Sequence, residues 1–180
     1  MKNHILTYNQ INESNGLDNL SFEEVGRLVD LGILDEDLLK IYNYVKNGCI
    51  GDLLLVSSTL TYLPTWLTEV EGDLILTNSN IEEIPDSLIL HGGIIAENSK
   101  LKIFNRKYVN GHLDLDNCKI TKLPDHLIIN GYLAVRGIQF EEIPKYLRIR
   151  SNLFIRSSNL AQFSDEELYT MYTIGGGIAK

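Results

Sequence analysis

From Gly51 onward the hydrophobic positions return at nearly constant spacing: Gly-x-Leu-x-Leu, several polar residues, then Ile-x-x-Ile-Pro-x-x-Leu. The glycine, or the serine that replaces it, stands at Gly51, Gly72, Gly92, Gly111, Gly131 and Ser151, in steps of 21, 20, 19, 20 and 20 residues. Within each unit a first apolar pair alternates with its neighbours: Leu53/Leu55, Leu74/Leu76, Ile94/Ala96, Leu113/Leu115, Leu133/Val135 and Leu153/Ile155. Alternation of this kind predicts a short strand with one side buried. A second pair follows at Leu60/Leu63, Ile81/Ile84, Leu101/Phe104, Ile120/Leu123, Phe140/Ile143 and Leu160/Phe163. Pro64, Pro85, Pro124 and Pro144 come directly after the second member, so all four prolines share one repeat position. There they fix φ and remove a donor where the chain must turn. Leu67, Leu88, Tyr108, Leu127 and Leu147 are then expected to close the coils.

Such a unit cannot bury its apolar face alone, and stacking merges the faces into one core. The ends need covers. Ser21-Phe22-Glu23-Glu24 is a capping-box sequence opening a helix that Gly32 would end. Asp35 can cap a second helix, with Leu38, Tyr42 and Val45 on one stripe. Ser164-Asp165-Glu166-Glu167 repeats the capping box near the other end, followed by Leu168, Met171 and Tyr172. The expected organisation is a lead-in over residues 1–20, a helical cap over 21–48, a solenoid over 49–163, and a cap helix with tail over 164–180.

A period of about 20 built from Leu-x-Leu and then Leu-x-x-Leu-Pro resembles leucine-rich repeats, in particular the short repeats of bacterial effector proteins. It is also similar to small repeat proteins of bacterial and phage genomes. The resemblance covers residues 51 to about 163 and implies an α/β solenoid of about six coils with short parallel strands, a helical N-terminal cap and a C-terminal helix. Effectors with such repeats carry a large ubiquitin-ligase domain, for which 180 residues leave no room. Where that family often places a ladder of Asn side chains, this chain has Ser58, Ser79, Ser99, Cys118, Ile138 and Ser158. A serine can satisfy a buried N–H locally. Ile138 cannot, so an irregular turn is expected after Gly137. The third coil is one residue short and has Asn105 in place of proline, beside Arg106 and Lys107, which predicts a kink.

If Leu53 and Leu55 face inward, their alternate neighbours face outward, and the same holds in every coil. The central outward column reads Leu54, Ile75, Ile95, Asp114, Ala134, Phe154. One flank reads Val56, Thr77, Glu97, Asp116, Arg136, Arg156, and the other Asp52, Asp73, Gly93, His112, Tyr132, Asn152. Apolar, acidic and basic zones follow in order. Stacked exposed aliphatics are unusual on a soluble monomer, and aromatic and Arg side chains anchor interfaces. The candidate contact residues are therefore Leu54, Ile75, Ile95, Glu97, Asp114, Asp116, Tyr132, Arg136, Phe154 and Arg156. Asp114, Asp116 and Glu97 could accept a basic side chain, hold a cation, or form a plain solvated patch.

Charge agrees with a protein partner rather than a polyanion: 24 acids against 16 bases give a net −8. The balance is −11 over residues 1–100 and +3 over residues 101–180. No secretory signal opens the chain, and no run approaches the ~18 apolar residues of a membrane helix, so a cytoplasmic protein is expected, in the host cytoplasm if phage-encoded. Cys49 and Cys118 lie about three repeats apart, too far to bridge, and read as free thiols. His4, His91, His112 and His126 have neither zinc-ligand nor nucleophile–base spacing. Gly175-Gly176-Gly177 follows no apparent strand and reads as a flexible tail rather than a phosphate loop. No cofactor or metal is expected. The expected function is a non-catalytic protein-interaction module, a small inhibitor or adaptor docking a protein on a concave sheet. A self-associating homo-oligomer and an acidic nucleic-acid mimic are the alternatives. Direct nucleic-acid or membrane binding is not expected.

Overall fold

The computed structural model describes residues 20–32 and 35–180. The lead-in, apart from Leu20, and His4 with it, lie outside the described residues. In chain order the helices are α1 (Phe22–Asp30), α2 (Glu36–Lys46) and α3 (Asp165–Met171). The strands before residue 120 are β1 (Leu53–Leu54), β2 (Glu69–Val70), β3 (Leu74–Ile75), β4 (Ile89–Leu90), β5 (Ile94–Ile95), β6 (Tyr108–Val109) and β7 (Leu113–Asp114). The rest are β8 (Ile128–Ile129), β9 (Leu133–Ala134), β10 (Arg148–Ile149), β11 (Leu153–Phe154), β12 (Thr173–Ile174) and β13 (Ile178–Ala179).

The odd-numbered strands stack in parallel into one sheet in the order β1-β3-β5-β7-β9-β11-β13. The chain is thus a solenoid of parallel strands at about 20-residue spacing, compatible with leucine-rich-repeat-like units. Its hydrogen bonds repeat from coil to coil: Leu53 N–H donates to Asp73 O (2.9 Å), Leu74 to Gly93 O (3.0 Å), Ile94 to His112 O (2.8 Å) and Leu113 to Tyr132 O (2.9 Å). All twelve residues of the first apolar pairs are buried. They join Leu60, Ile81, Leu101, Ile120, Phe140 and Leu160 in one continuous core. Each such Leu or Ile contributes about 1.5–3 kcal/mol before chain entropy is subtracted.

Coils can stack this closely because the first position of the unit carries almost no side chain. Gly131 N–H donates to Gly111 O at 2.9 Å, and a Cβ on Gly131 would come within 2.7 Å of that oxygen. A Cβ on Gly92 would overlap Gly72 O and C outright. Past the strand, each coil bends through a left-handed residue: Ser57, Asn78, Asn98, Asn117, Gly137 and Ser157, with φ between 56° and 73°. Asn and Gly are the residues that tolerate this region best.

The turn after Gly137 is not irregular, contrary to the sequence expectation. Ile138 N–H donates to Val135 O (3.3 Å), as Ser58 N–H does to Leu55 O (3.3 Å). The hydroxyls of Ser58, Ser99 and Ser158 each accept the N–H two residues on. In the Ile138 coil the equivalent N–H, that of Phe140, goes to Asn159 Oδ1 (3.0 Å), and Asn159 Nδ2 returns a bond to Phe140 O (2.8 Å). A neighbouring coil's amide replaces the missing serine.

A second parallel ladder, not expected from the sequence, forms where the coils close. It is split into β2-β4 and β12-β10-β8-β6. The split falls at the short third coil. Asn105 replaces the turn proline there, and Arg106 Nη2 donates to Pro85 O (2.8 Å) and Leu88 O (2.5 Å), capping carbonyls on the β4 side. The first sheet passes this point unbroken, so the expected irregularity is a gap in one ladder. Tyr108 does not close its coil: it is 50% exposed, and Val109 is the buried member of β6. The register Tyr108↔Ile128 puts Lys107 opposite Leu127, and one missing residue has displaced the pattern.

The helices start where their capping sequences predict. Both capping boxes, Ser21/Glu24 and Ser164/Glu167, are present. Asp35 accepts the N–H groups of Asp37 and Leu38 at the start of α2. The buried stripe of α2 is Asp37, Leu38 and Ile41, with Val45 partly buried, whereas Tyr42 turns to stack on Phe22 of α1 at 4.7 Å. Asp37 Oδ2 takes the Thr59 N–H (3.0 Å), satisfying a donor that the first coil cannot pair upstream. At the other end the glycine run is not a tail. β12 pairs with β10 and β13 with β11, so Gly176 and Ile178 repeat the Gly-x-Leu register of Ser151 and Leu153. Helix α3 is an insertion within the sixth coil, which is why the repeat was missed: the step from Ser151 to Gly176 is 25 residues. Among the described residues, no helix is long and apolar enough to cross a membrane.

The glycine column makes a direct prediction. Gly92→Ala should lower unfolding stability by about 1–3 kcal/mol through overpacking against Gly72, measured by urea denaturation. Gly137→Ala should cost about 1–2 kcal/mol for its left-handed φ. An unchanged midpoint for both would contradict the stacking.

Candidate interaction face

The first sheet places the predicted contact residues in three zones. In the N-terminal coils Leu54 and Val56 are 54% and 44% exposed, while Ile75 and Ile95 are half-buried beside them. The strand register sets Leu54 against Ile75, and Ile75 against Ile95, so the aliphatic strip is continuous across three coils.

The acidic zone follows in the next coil. Asp114 is in register with Ile95 and half-buried. Burial raises its pKa, with Glu97 adding to the rise, while the Asp116 N–H, Arg136 and the Tyr132 hydroxyl act the other way. Asp116 does not stand open on the surface as the alternation suggested. Its side chain is 4% exposed, because Arg136 lies over it, with Nη1 2.8 Å from Oδ2. The Arg136 N–H also donates to Asp116 Oδ1 (2.6 Å). Burial nevertheless raises the Asp116 pKa too. Glu97 is exposed, and among the described residues its carboxylate accepts only from the neighbouring Asn98 amide. The three acids do not form a metal-ligand group, and no such group occurs among the described residues.

The third zone is preassembled. His112 stacks on Tyr132 (4.2 Å, 19°), and its Nδ1 accepts the Tyr132 N–H (3.1 Å). Tyr132 meets Phe154 edge-on (5.6 Å, 88°), and the Arg136 guanidinium sits 4.9 Å above the Phe154 ring. These side chains bury Ala134, which the outward column had placed in solvent. Arg156 is exposed at the end of the row with no ion pair among the described residues. Tyr132, Arg136, Phe154 and Asp116 are thus brought together, while Leu54 and Arg156 stand apart at opposite ends of the face.

One feature of this face went unread in the sequence. Asp52 Oδ1 accepts the Asp73 N–H (2.7 Å), Asp73 Oδ1 the Gly93 N–H (2.5 Å), and Asn152 Oδ1 the Gly177 N–H (2.8 Å). Together with His112 they form a column of acceptors, each tying down the next coil. Its signal was legible as an acceptor one residue before the inward Leu.

The remaining chemistry-bearing side chains are held structurally. Cys118 is a buried free thiol whose pKa burial pushes up to about 11, and its Sγ donates to Ala96 O. Cys49 is free and half-buried. His91 contacts Glu69 (2.8 Å), and His126 stacks on Tyr146 (4.9 Å). A groove of about 390 Å³ lies beside the turn prolines, between Leu123 and Pro144, crossed by the Lys122–Glu142 ion pair.

Asp114 and Asp116 carry a pH signature. Their folded pKa values lie above the ordinary carboxylate value, so the folded state binds protons more readily than the unfolded chain, and their ionisation costs stability as pH rises. Asp114→Asn should therefore stabilise the protein at pH 7. The gain should disappear as pH falls below the ordinary carboxylate pKa, where Asp114 is protonated in both states. Thermal melts of both proteins across pH 3–7 check this; a variant less stable at pH 7 would contradict it. No family model, curated protein or solved structure matches the chain.

Proposed function

We propose that this chain is a non-catalytic protein-binding module of leucine-rich-repeat type, a small inhibitor or adaptor that docks a protein on its seven-stranded sheet. The observation that carries the reading is the aliphatic strip of exposed Leu54 and half-buried Ile75 and Ile95, continuous with a charged and aromatic row. Exposed contiguous apolar surface marks interaction sites. The row supports the same reading in another way: Tyr132, Phe154 and Arg136 are held by one another, so little rotamer entropy is lost when a partner meets them. They are also the residue types that dominate binding energy. Glu97 and Asp114 between the two zones favour a partner with a basic group at that level.

On this reading the apolar strip supplies affinity and the charges supply register and rate. Ile75→Lys with Ile95→Lys should reduce capture of the partner from a cell lysate at least tenfold while leaving the circular dichroism spectrum unchanged. Phe154→Ala should weaken capture of the same protein. Equal recovery by the wild type and the lysine variant would overturn the proposal.

A further inference from the structure

The second ladder carries a different pattern, on residues that the first sheet does not use. Its outward positions, in coil order, are Glu69, Ile89, Tyr108, Ile128, Arg148 and Thr173, from the register Glu69↔Ile89 on one side of the gap and the registers Tyr108↔Ile128, Ile128↔Arg148 and Arg148↔Thr173 on the other. Two residues along each coil stand Glu71, His91, Asn110, Asn130 and Arg150. Ile89 and Tyr108 are 55% and 50% exposed, and Ile128 is half-buried. From Glu69 to Arg148, before the exposed Thr173 that ends the ladder, the column runs from charge through an aliphatic residue to a tyrosine and back, with the charge reversed.

We propose that this face is a two-fold interface between two copies of the chain. An isologous contact needs a surface complementary to itself. Laid antiparallel, the second copy brings Glu69 and Glu71 of each chain against Arg148 and Arg150 of the other, Ile89 against Ile128, and Tyr108 against its equivalent near the axis. Four coil steps separate Glu69 from Arg148 in each copy, three of them paired rungs of ~4.8 Å and one the unpaired gap between β4 and β6; both copies share that separation, so both ends meet at once. The two arginines are exposed and form neither an ion pair nor a side-chain hydrogen bond with any described residue. Glu69 is shared with His91, and one Glu71 oxygen accepts the Gly51 N–H, which leaves carboxylate capacity on both. A phosphate-rich surface would suit the arginine end and be repelled by the glutamate end; a second copy satisfies both. The chain's opposite charge balance in its two halves has the same sense. The proposal does not depend on partner docking at the first sheet.

Sedimentation equilibrium over a range of protein and salt concentrations tests it. The wild type should dimerise, more weakly as salt screens the charged ends. Arg148→Glu with Arg150→Glu, which breaks no contact within the chain, should raise the dissociation constant at least tenfold, and Glu69→Arg with Glu71→Arg should do the same. The two variants mixed in equal amounts should form a heterodimer, because one then offers acid at both ends and the other base. A wild type that stays monomeric at high micromolar concentration would overturn the interface, as would a dimer indifferent to both variants or a mixture that fails to associate.

Discussion

The whole molecule depends on the distance between coils. Parallel strands share their hydrogen bonds at ~4.8 Å, and the chain can hold that spacing only if nothing bulky stands where one coil's backbone crosses the next. The glycine column meets this constraint, and the inward Leu and Ile residues fill the space the coils enclose. Once spacing and register are set, alternation divides every strand into a buried and an outward residue with no further information. The faces follow from the core.

That is why most of the fold was legible. Gly-x-Leu-x-Leu states the register, and all the first-pair residues lie inside. The misreadings came where one local element stood in for another. Asn159 supplied the bond expected to be missing at Ile138, which no reading of the Ile138 coil alone could find. Helix α3 stretched the final step, so that Gly176 looked like the start of a tail rather than of another rung. One residue fewer in the third coil moved Tyr108 outward and let Arg106 cap Leu88 O, the carbonyl that a paired strand would have taken, together with the turn carbonyl of Pro85.

The candidate face was legible only in part. The column of outward positions could be written down from the sequence, but not how its members would bond. Asp116 belongs to that column and yet is buried, since Arg136 one coil on reaches back across it. Ala134 is covered because Tyr132 and Phe154 close over it. Pairing of side chains across coils depends on rotamers, and periodicity is silent about those. It is also what turns a row of residues into a preformed surface. The opposing costs are visible in Asp114 and Asp116, carboxylates held where burial disfavours their charge.

The central claim is that the Leu53-type residues point into the core and that Leu54, Ile75 and Ile95 point out of it. Thiol labelling tests it most directly, with single cysteines introduced by Ile75→Cys, Leu76→Cys, Ile95→Cys and Ala96→Cys in a Cys49→Ser, Cys118→Ser background. The account predicts rapid labelling at positions 75 and 95, and labelling at 76 and 96 only as fast as the protein unfolds. Equal rates at neighbouring positions, or protection at 75 and 95 with exposure at 76 and 96, would contradict it.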